Sequence, residues 1–138
     1  MIVIDASVAV KWFVLEPGTA EAEMLFQADD ERAAPEHILI EVGQALLRHH
    51  FAGLITVDHC RAALEQIPRL VRLFRTEALA ADALEIAASA RCSIYDAVYV
   101  AAADRWDASV VTADAKLVQQ LAGSPWQNRA RLLQPQSL

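Results

Sequence analysis

The sequence predicts an α/β fold, with three layers (α/β/α) built around a central, mostly parallel sheet of about four or five strands. Short β-branched runs alternate with longer segments of helical spacing, which is typical of a parallel sheet covered by helices on both faces. The chain has 138 residues and is 55% hydrophobic, enough for one domain with a sizeable core. No internal repeat or linker divides it, so we expect a single domain over 1–138, with only the tail from about Ser124 packed loosely.

The strands are predicted from four short apolar runs. The first and third are β-branched and end in an acid, as buried parallel strands often do, while the second alternates in character. The fourth is expected to be an edge strand. In order they are MIVID at 1–5, LVRLFR at 70–75, SVVTAD at 109–114 and ARLLQ at 130–134.

The segments between these runs carry helix start and stop residues. Pro35 suits a first helical turn, Gly53 suits a C-terminal stop, and Pro68 is expected to end a helix. Thr19 is placed to cap the second helix, and Gly123 to close the last one. The predicted helices span 6–16, 20–30, 36–53, about 56–67, 76–90, 93–106 and 115–123.

The charge balance narrows the kinds of partner. Twelve basic residues against 18 acidic ones give a net charge of -6 and a pI near 5.1, which disfavours a broad basic surface for nucleic acid. A local site remains possible in which bound cations reverse the sign of the charge. Arg69, Arg72 and Arg75 are spaced by three and are expected to form a solvated edge.

The N-terminal apolar run and the two cysteines indicate where the protein is located in the cell. The apolar run at the start is broken by Asp5 and Lys11, so it is too short and too charged for a membrane span or a signal segment. Cys60 and Cys92 lie far apart, without metal-ligand spacing, and are expected to be free thiols in a reducing compartment. We therefore expect a cytoplasmic protein without membrane contact.

Four acids lie in apolar surroundings. Asp5 and Asp114 follow β-branched runs, which places them at the carboxyl ends of parallel strands, where open α/β sheets build their sites. Asp96 lies near the start of a nearly apolar helix, and Glu41 lies among core residues of another. Each also has a structural explanation. Asp5 and Asp114 could be N-caps, and Glu41 could face solvent. Asp96 could complement the dipole of its helix and form a capping-box-like pair with Ser93.

One divalent-cation site would account for all four acids together, whereas the structural explanations need a separate reason for each. Carboxylate oxygens are the ligands that Mg²⁺ and Mn²⁺ prefer. Without a cation, two carboxylates about 4 Å apart repel by about 4 kcal/mol at an effective dielectric of about 20. The sequence therefore favours a shared site that holds a cation.

The stretches around these acids resemble those of a known family. They are similar in order and spacing to PIN-domain ribonucleases, specifically the VapC-type toxins of toxin-antitoxin modules, over nearly the whole chain. The resemblance implies an α/β/α domain that hydrolyses RNA with Mg²⁺ or Mn²⁺, as the toxin of a type II pair. It also implies an antitoxin partner, often on a toxin homodimer. The stretches are IVIDASVAVKWF, LIEVGQAL, SIYDAVYVAAA and VVTADAKL.

The resemblance also assigns site residues. Three aspartates would be direct or water-mediated metal ligands, while the glutamate would hold a second ion or orient the attacking water. Two hydroxyl residues would support the carboxylates, or would be ordinary helix-start and strand-end hydroxyls. The acids are Asp5, Asp96, Asp114 and Glu41, and the hydroxyl residues are Ser7 and Thr112.

Other polar residues carry weaker hypotheses. Lys11 could contact a substrate phosphate, but we expect its ammonium group to extend to solvent. His37 lies four residues before Glu41, yet no H-E-x-x-H motif supports zinc, and the histidines are expected at the surface or in packing. Tyr95 and Tyr99 could stack on a base, but we expect both to pack in the core.

Two other functions remain open. An acidic pocket on a doubly wound sheet also suits a Mg²⁺-dependent phosphoryl-transfer or receiver-type signalling domain. Receiver domains generally pair two acids after the first strand and place a lysine after a late one, whereas Asp5 stands alone and Lys116 begins a helix. The chain could also be a non-catalytic module that an antitoxin occupies. Incubation with RNA, with and without Mg²⁺, would distinguish such a module from a nuclease.

Overall fold

The computed structural model describes residues 1–134, and its centre is a parallel sheet of five strands in the order β3-β2-β1-β4-β5. All four strand pairings are parallel, as the alternation of strands and helices predicts. The strands are short, with three or four residues each. Their bounds are β1 Ile2–Ile4, β2 Arg32–Pro35, β3 Arg72–Phe74, β4 Ser109–Thr112 and β5 Ala130–Leu132.

Seven α-helices cover the sheet in the described part of the chain. Strand order steps one way from β1 to β3 and the other way from β3 to β5, so right-handed crossovers place the two groups of helices on opposite faces. The predicted three-layer α/β/α architecture is confirmed. The helices are α1 Ala6–Ala9, α2 Thr19–Met24, α3 Ile38–Phe51, α4 Val57–Leu70, α5 Ala80–Ala90, α6 Ile94–Arg105 and α7 Ala115–Leu121.

Strand β2 was not predicted. The sequence pattern predicts no strand at 32–35 and favours Pro35 as the start of a helix, whereas in the structure Pro35 is the last residue of β2 and lies opposite Phe74. The strand has two alanines, which are weak strand formers, but Ala33 and Ala34 are fully buried between β1 and β3. Tertiary packing therefore decides this element against the local preference of its residues.

Several helix boundaries also differ from the prediction. Helix α4 continues past Pro68 to Leu70, because the proline lies in its last turn, and Val71 still donates to the Ile67 carbonyl. Helix α2 ends at Met24 rather than at residue 30. The first helix is split into α1 and a 3-10 turn, Val10–Trp12.

The segment from Ser124 also differs from the expectation of loose packing. A 3-10 turn covers Gln127–Arg129, Trp126 packs against the core, and β5 pairs with β4 through Val110 and Ala130. Residues 135–138 of that tail lie outside the described residues. The edge strand predicted at 130–134 is confirmed as β5, the outermost strand beside β4.

Helix α6 is the most buried helix of the fold, as its composition predicts. Every residue of 97–103 is buried, and its N-cap Ser93 accepts a hydrogen bond from the Asp96 N–H at 3.1 Å. The prediction that Tyr95 packs in the core is wrong, since this side chain is 64% exposed. No helix within 1–134 combines the length and the apolar character that crossing a membrane requires.

Candidate functional site

Four acids from separate parts of the chain line one cavity at the carboxyl ends of the strands. Asp5 follows β1 directly, Asp114 follows β4 as the N-cap of α7, and Glu41 and Asp96 lie in the first turns of α3 and α6. The cavity measures roughly 200 Å³, space for several ions or waters at about 30 Å³ each. The other residues that line it are Ala6, Ser7, Ala45 and Arg48.

Two hydroxyls hold the Asp5 carboxylate. Thr112 Oγ1 donates to Asp5 Oδ2 at 2.6 Å, and Ser7 Oγ donates to the same oxygen at 2.7 Å. Both hydroxyls accept backbone N–H groups of the β4–α7 turn, from Ala113 to Ser7 and from Asp114 to Thr112, each at 3.0 Å. Asp5 makes no side-chain cap bond to its own helix, so the capping explanation is wrong for this residue, and Oδ1 is left without a donor from residues 1–134.

Burial dominates the electrostatics of Asp5. The residue is only 6% exposed, and burial raises the pKa of its carboxyl to about 6 even though the bonds from Thr112 and Ser7 oppose the shift. The charges of Asp96 and Glu41 raise this pKa further. An ionised Asp5 is therefore costly unless a positive charge enters the cavity.

The Asp5 shift predicts how the ion-free protein responds to pH. Because the folded pKa of about 6 lies above the unfolded value of 3.8, the folded state binds this proton more tightly. The free energy of unfolding should therefore fall as pH rises from about 4 to 6, by up to about 3 kcal/mol from this group. Urea unfolding in chelator should show this fall in the wild type and a flatter profile in Asp5→Asn; superimposable profiles would contradict it.

Two side chains hold the Glu41 carboxylate. The fully buried Tyr99 donates its hydroxyl proton to Glu41 Oε1 at 2.8 Å, and His37 Nε2 lies 3.1 Å from the same oxygen. Burial alone would raise the pKa of Glu41, but the hydrogen bonds from His37 and Tyr99 outweigh it and lower the pKa. Glu41 is thus kept ionised, whereas burial raises the pKa of Tyr99 well above its ordinary value.

The surroundings of His37 assign its tautomer. Nε2 faces two acceptors, the Glu41 carboxylate and the Tyr95 carbonyl at 3.0 Å, so this nitrogen carries the proton. Its Nδ1 is buried and has no partner within residues 1–134, and the ring lies 4.7 Å from that of Tyr99. The sequence pattern predicts a surface or packing position for His37 and core packing for Tyr99, and no spacing rule links the two because they belong to different helices.

The remaining two aspartates lie at helix starts. Asp114 accepts the Lys116 N–H at Oδ1, 2.9 Å, so its predicted cap role is confirmed for one oxygen. Burial raises the pKa of Asp96, the bond with Ser93 opposes the rise, and the charges of Glu41 and Asp114 add to it. Within residues 1–134 no lysine, arginine or histidine forms an ion pair with Asp5, Asp96 or Asp114.

The chemistry of this donor set fits a hard divalent cation. All four acids present oxygen ligands, and two of them have raised pKa values that a positive charge would relieve. In the described part of the chain, no three Asp, Glu, His or Cys side chains stand in an arrangement that encloses an ion. Mg²⁺ usually keeps several waters and takes only one or two carboxylates from a protein, so a set of acids that does not enclose an ion can still bind one.

A second cavity adjoins the first and contains Lys11. The expectation that Lys11 reaches solvent is wrong, since its side chain is 12% exposed and Nζ donates to Glu16 Oε1 at 2.9 Å and to the Pro17 carbonyl at 2.8 Å. Glu16 also pairs with His49 Nε2 at 3.2 Å. Lys11 therefore has its charge neutralised inside the protein.

The sequence is similar to known proteins over most of its length. The PIN-domain family matches residues 2–122. Ribonuclease VapC3 of Pyrobaculum aerophilum is 26% identical over 122 residues, which cover 86% of this chain and 93% of that protein.

Two solved structures share the fold. The toxin VapC20 of Mycobacterium tuberculosis, described as cleaving the sarcin-ricin loop, has a TM-score of 0.73 at 18% identity, over 94% of this chain and 99% of that one. A toxin-antitoxin complex from Klebsiella pneumoniae has a TM-score of 0.66 at 16% identity, over 100% of both chains. At these identities the likeness concerns the fold alone.

Proposed function

Because the chain belongs to the PIN-domain family, we propose that it is a Mg²⁺- or Mn²⁺-dependent endoribonuclease and the toxin of a type II toxin-antitoxin pair. The single observation that carries the proposal is the acid-lined cavity, in which Asp5, Asp96 and Asp114 have no cationic side chain as a partner within residues 1–134. The similarity to a ribonuclease over most of both chains supports the choice of RNA as substrate.

We assign the acids separate roles. Asp5, Asp96 and Asp114 would hold the ion directly or through water, and Asp5 would do so with Oδ1, because Thr112 and Ser7 occupy Oδ2. A bound Mg²⁺ or Mn²⁺ supplies a positive charge that lowers the pKa of a water and stabilises a leaving oxygen.

Glu41 would orient the attacking water or hold a second ion. Tyr99 donates to Oε1 and His37 Nε2 lies 3.1 Å from the same oxygen, which holds that oxygen in place, while Oε2 accepts no hydrogen bond from residues 1–134. Because these bonds also lower its pKa, Glu41 is ionised at neutral pH and can accept a hydrogen bond from a water.

The proposal includes partners and location. An acidic cavity is a favourable target for an arginine from another chain, since guanidinium groups pair with carboxylates in bidentate fashion. The described toxin-antitoxin complex of similar fold supports an antitoxin as that chain. A homodimer and a cytoplasmic location belong to the same proposal.

The alternatives are weaker. A receiver-type domain lacks support because the family that matches is the PIN domain, over residues 2–122. A non-catalytic antitoxin-binding module would share the fold, and only a cleavage assay distinguishes it from a nuclease.

The direct test is incubation of the purified protein with RNA. We expect cleavage with Mg²⁺ or Mn²⁺ and none in chelator, with products that show internal cuts. Active protein without any added or bound ion would reject the metal dependence, and intact RNA under all conditions would favour the binding module.

Ion binding has an independent measure. Because an ion that binds only the folded state stabilises it, Mg²⁺ or Mn²⁺ at a hundred times its dissociation constant should add about 2.7 kcal/mol to the free energy of unfolding. Thermal melts should show this rise in the wild type and a smaller one in Asp5→Asn. A wild-type melting temperature indifferent to both ions would count against the site.

A further inference from the structure

One arginine stands between the two adjoining cavities. Arg48 lines both the acidic cavity and the neighbouring one, which share Ser7 and Ala45 as well. It lies on α3, seven residues after Glu41, and two helical turns place it about 10 Å along the same helix face. Its side chain therefore reaches the rim of the acidic cavity from a fixed helical position.

The charge of Arg48 is not used inside the fold. The residue is exposed, and no carboxylate in residues 1–134 lies within ion-pair distance of its guanidinium group. Lys11, the other lysine or arginine lining these cavities, is bound to Glu16, which also pairs with His49. Arg48 is thus the cation of this region that is left to bind a ligand.

The ligand should be an anion that extends out of the acidic cavity. A chain of net charge -6 repels a polyanion in general, so a substrate strand needs a local cation beside the site of cleavage. Guanidinium groups bind phosphate oxygens in bidentate fashion. The second cavity has room for one phosphodiester beside Arg48, at roughly 270 Å³.

We propose that Arg48 binds the RNA phosphate adjacent to the scissile one, and that the cavity around Lys11 and Glu16 is the subsite for that nucleotide. The inference rests on the proposed ribonuclease activity and names a contact for its substrate. It predicts that the protein needs a charged phosphate on one particular side of the cleaved bond.

The first test is kinetic. Because the contact is made equally before and during cleavage, Arg48→Gln should raise KM about tenfold or more while kcat changes by less than about twofold. Arg48→Lys should recover part of the affinity, since lysine keeps the charge without the fork. A loss in kcat with KM unchanged, or no change at all, would overturn the assignment.

The matched control is Arg69→Gln. Arg69 is also an exposed helix arginine without an ion pair in the described residues, but it lies at the end of α4 that leads into β3, near the amino ends of the strands. The Arg69→Gln substitution should leave KM unchanged. An equal rise in KM for both variants would indicate general charge attraction and overturn the specific contact.

The second test removes the charge from the substrate. RNA oligonucleotides carrying one neutral methylphosphonate, placed in turn on each side of the cleaved bond, should lose affinity for the wild type at one position. At that position Arg48→Gln should lose little more, because the pair is already broken. Equal further losses in both proteins would contradict the contact.

Binding separates this proposal from the ribonuclease proposal. Anisotropy of a labelled single-stranded RNA with Asp5→Asn, with and without Arg48→Gln, requires no cleavage. Loss of Arg48 should weaken binding about tenfold and make the salt dependence shallower by about 0.7 in slope. If the wild type cuts no RNA, the proposed function fails, while this difference in binding would still support the phosphate contact; equal affinities would reject it.

Discussion

Replacing Asp96 or Asp5 by asparagine should reduce ion-dependent RNA cleavage by about a thousandfold or more, while the fold is preserved. Each change removes one negative charge from the cavity, and a bound ion contributes several kcal/mol to the stabilisation of the transition state. Asparagine has nearly the same shape as aspartate, and at position 5 its oxygen can still accept the bonds from Thr112 and Ser7.

The cleavage rate should be measured at saturating Mg²⁺ or Mn²⁺, with circular dichroism as the measure of folding. Asp29→Asn is a suitable control, because it removes an exposed acid that lies before β2, at the opposite edge of the sheet. Asp5→Asn should also leave the ion-free protein as stable as the wild type or more stable, since the buried charge is gone. Full activity in both site variants would reject the assignment of these carboxylates.

Replacing Tyr99 by phenylalanine should lower the cleavage rate about 10- to 100-fold and destabilise the fold by about 1 to 3 kcal/mol. The change removes one hydroxyl from a fully buried ring, so the packing of α6 is kept while Glu41 loses the bond at 2.8 Å that orients it. His37 alone then holds Oε1, from 3.1 Å.

Tyr95→Phe is the matched control. Tyr95 lies one turn earlier on α6, and its side chain is 64% exposed, so the loss of its hydroxyl should change neither stability nor rate. The melting temperature with and without Mn²⁺, measured beside the rate, distinguishes the role of Tyr99 at the site from a purely structural one. A Tyr99→Phe variant that loses stability but keeps full activity and a full ion response would show that this bond only supports packing.

The local sequence pattern was sufficient to predict most strands of the sheet and the positions of two of the acids. The β-branched runs before Asp5 and Asp114 predict buried parallel strands, and parallel strands must end at a common edge. Ser93 can be identified as a helix N-cap from the few residues that follow it, and in the structure its hydroxyl accepts the hydrogen bond of the Asp96 N–H.

Local pattern failed where burial outweighed propensity. Strand β2 has two alanines and ends in Pro35, so it has little local preference for a strand, yet it lies in the middle of the sheet. Tyr95 and Tyr99 lie one turn apart on the same face of α6, yet Tyr95 is exposed and Tyr99 is fully buried. The nearly uniform apolar character of this helix conceals that difference.

The sequence by itself determined the α/β class, the parallel sheet and the acids that belong at its carboxyl edge, because periodicity and strand-end position are properties of short stretches. Only the tertiary structure decided which polar groups meet: Thr112 with Asp5 across 107 positions, Tyr99 with Glu41 across 58, and Arg48 without a carboxylate partner in the described residues. These pairings depend on how helices pack over the sheet, and no short stretch of sequence contains that information.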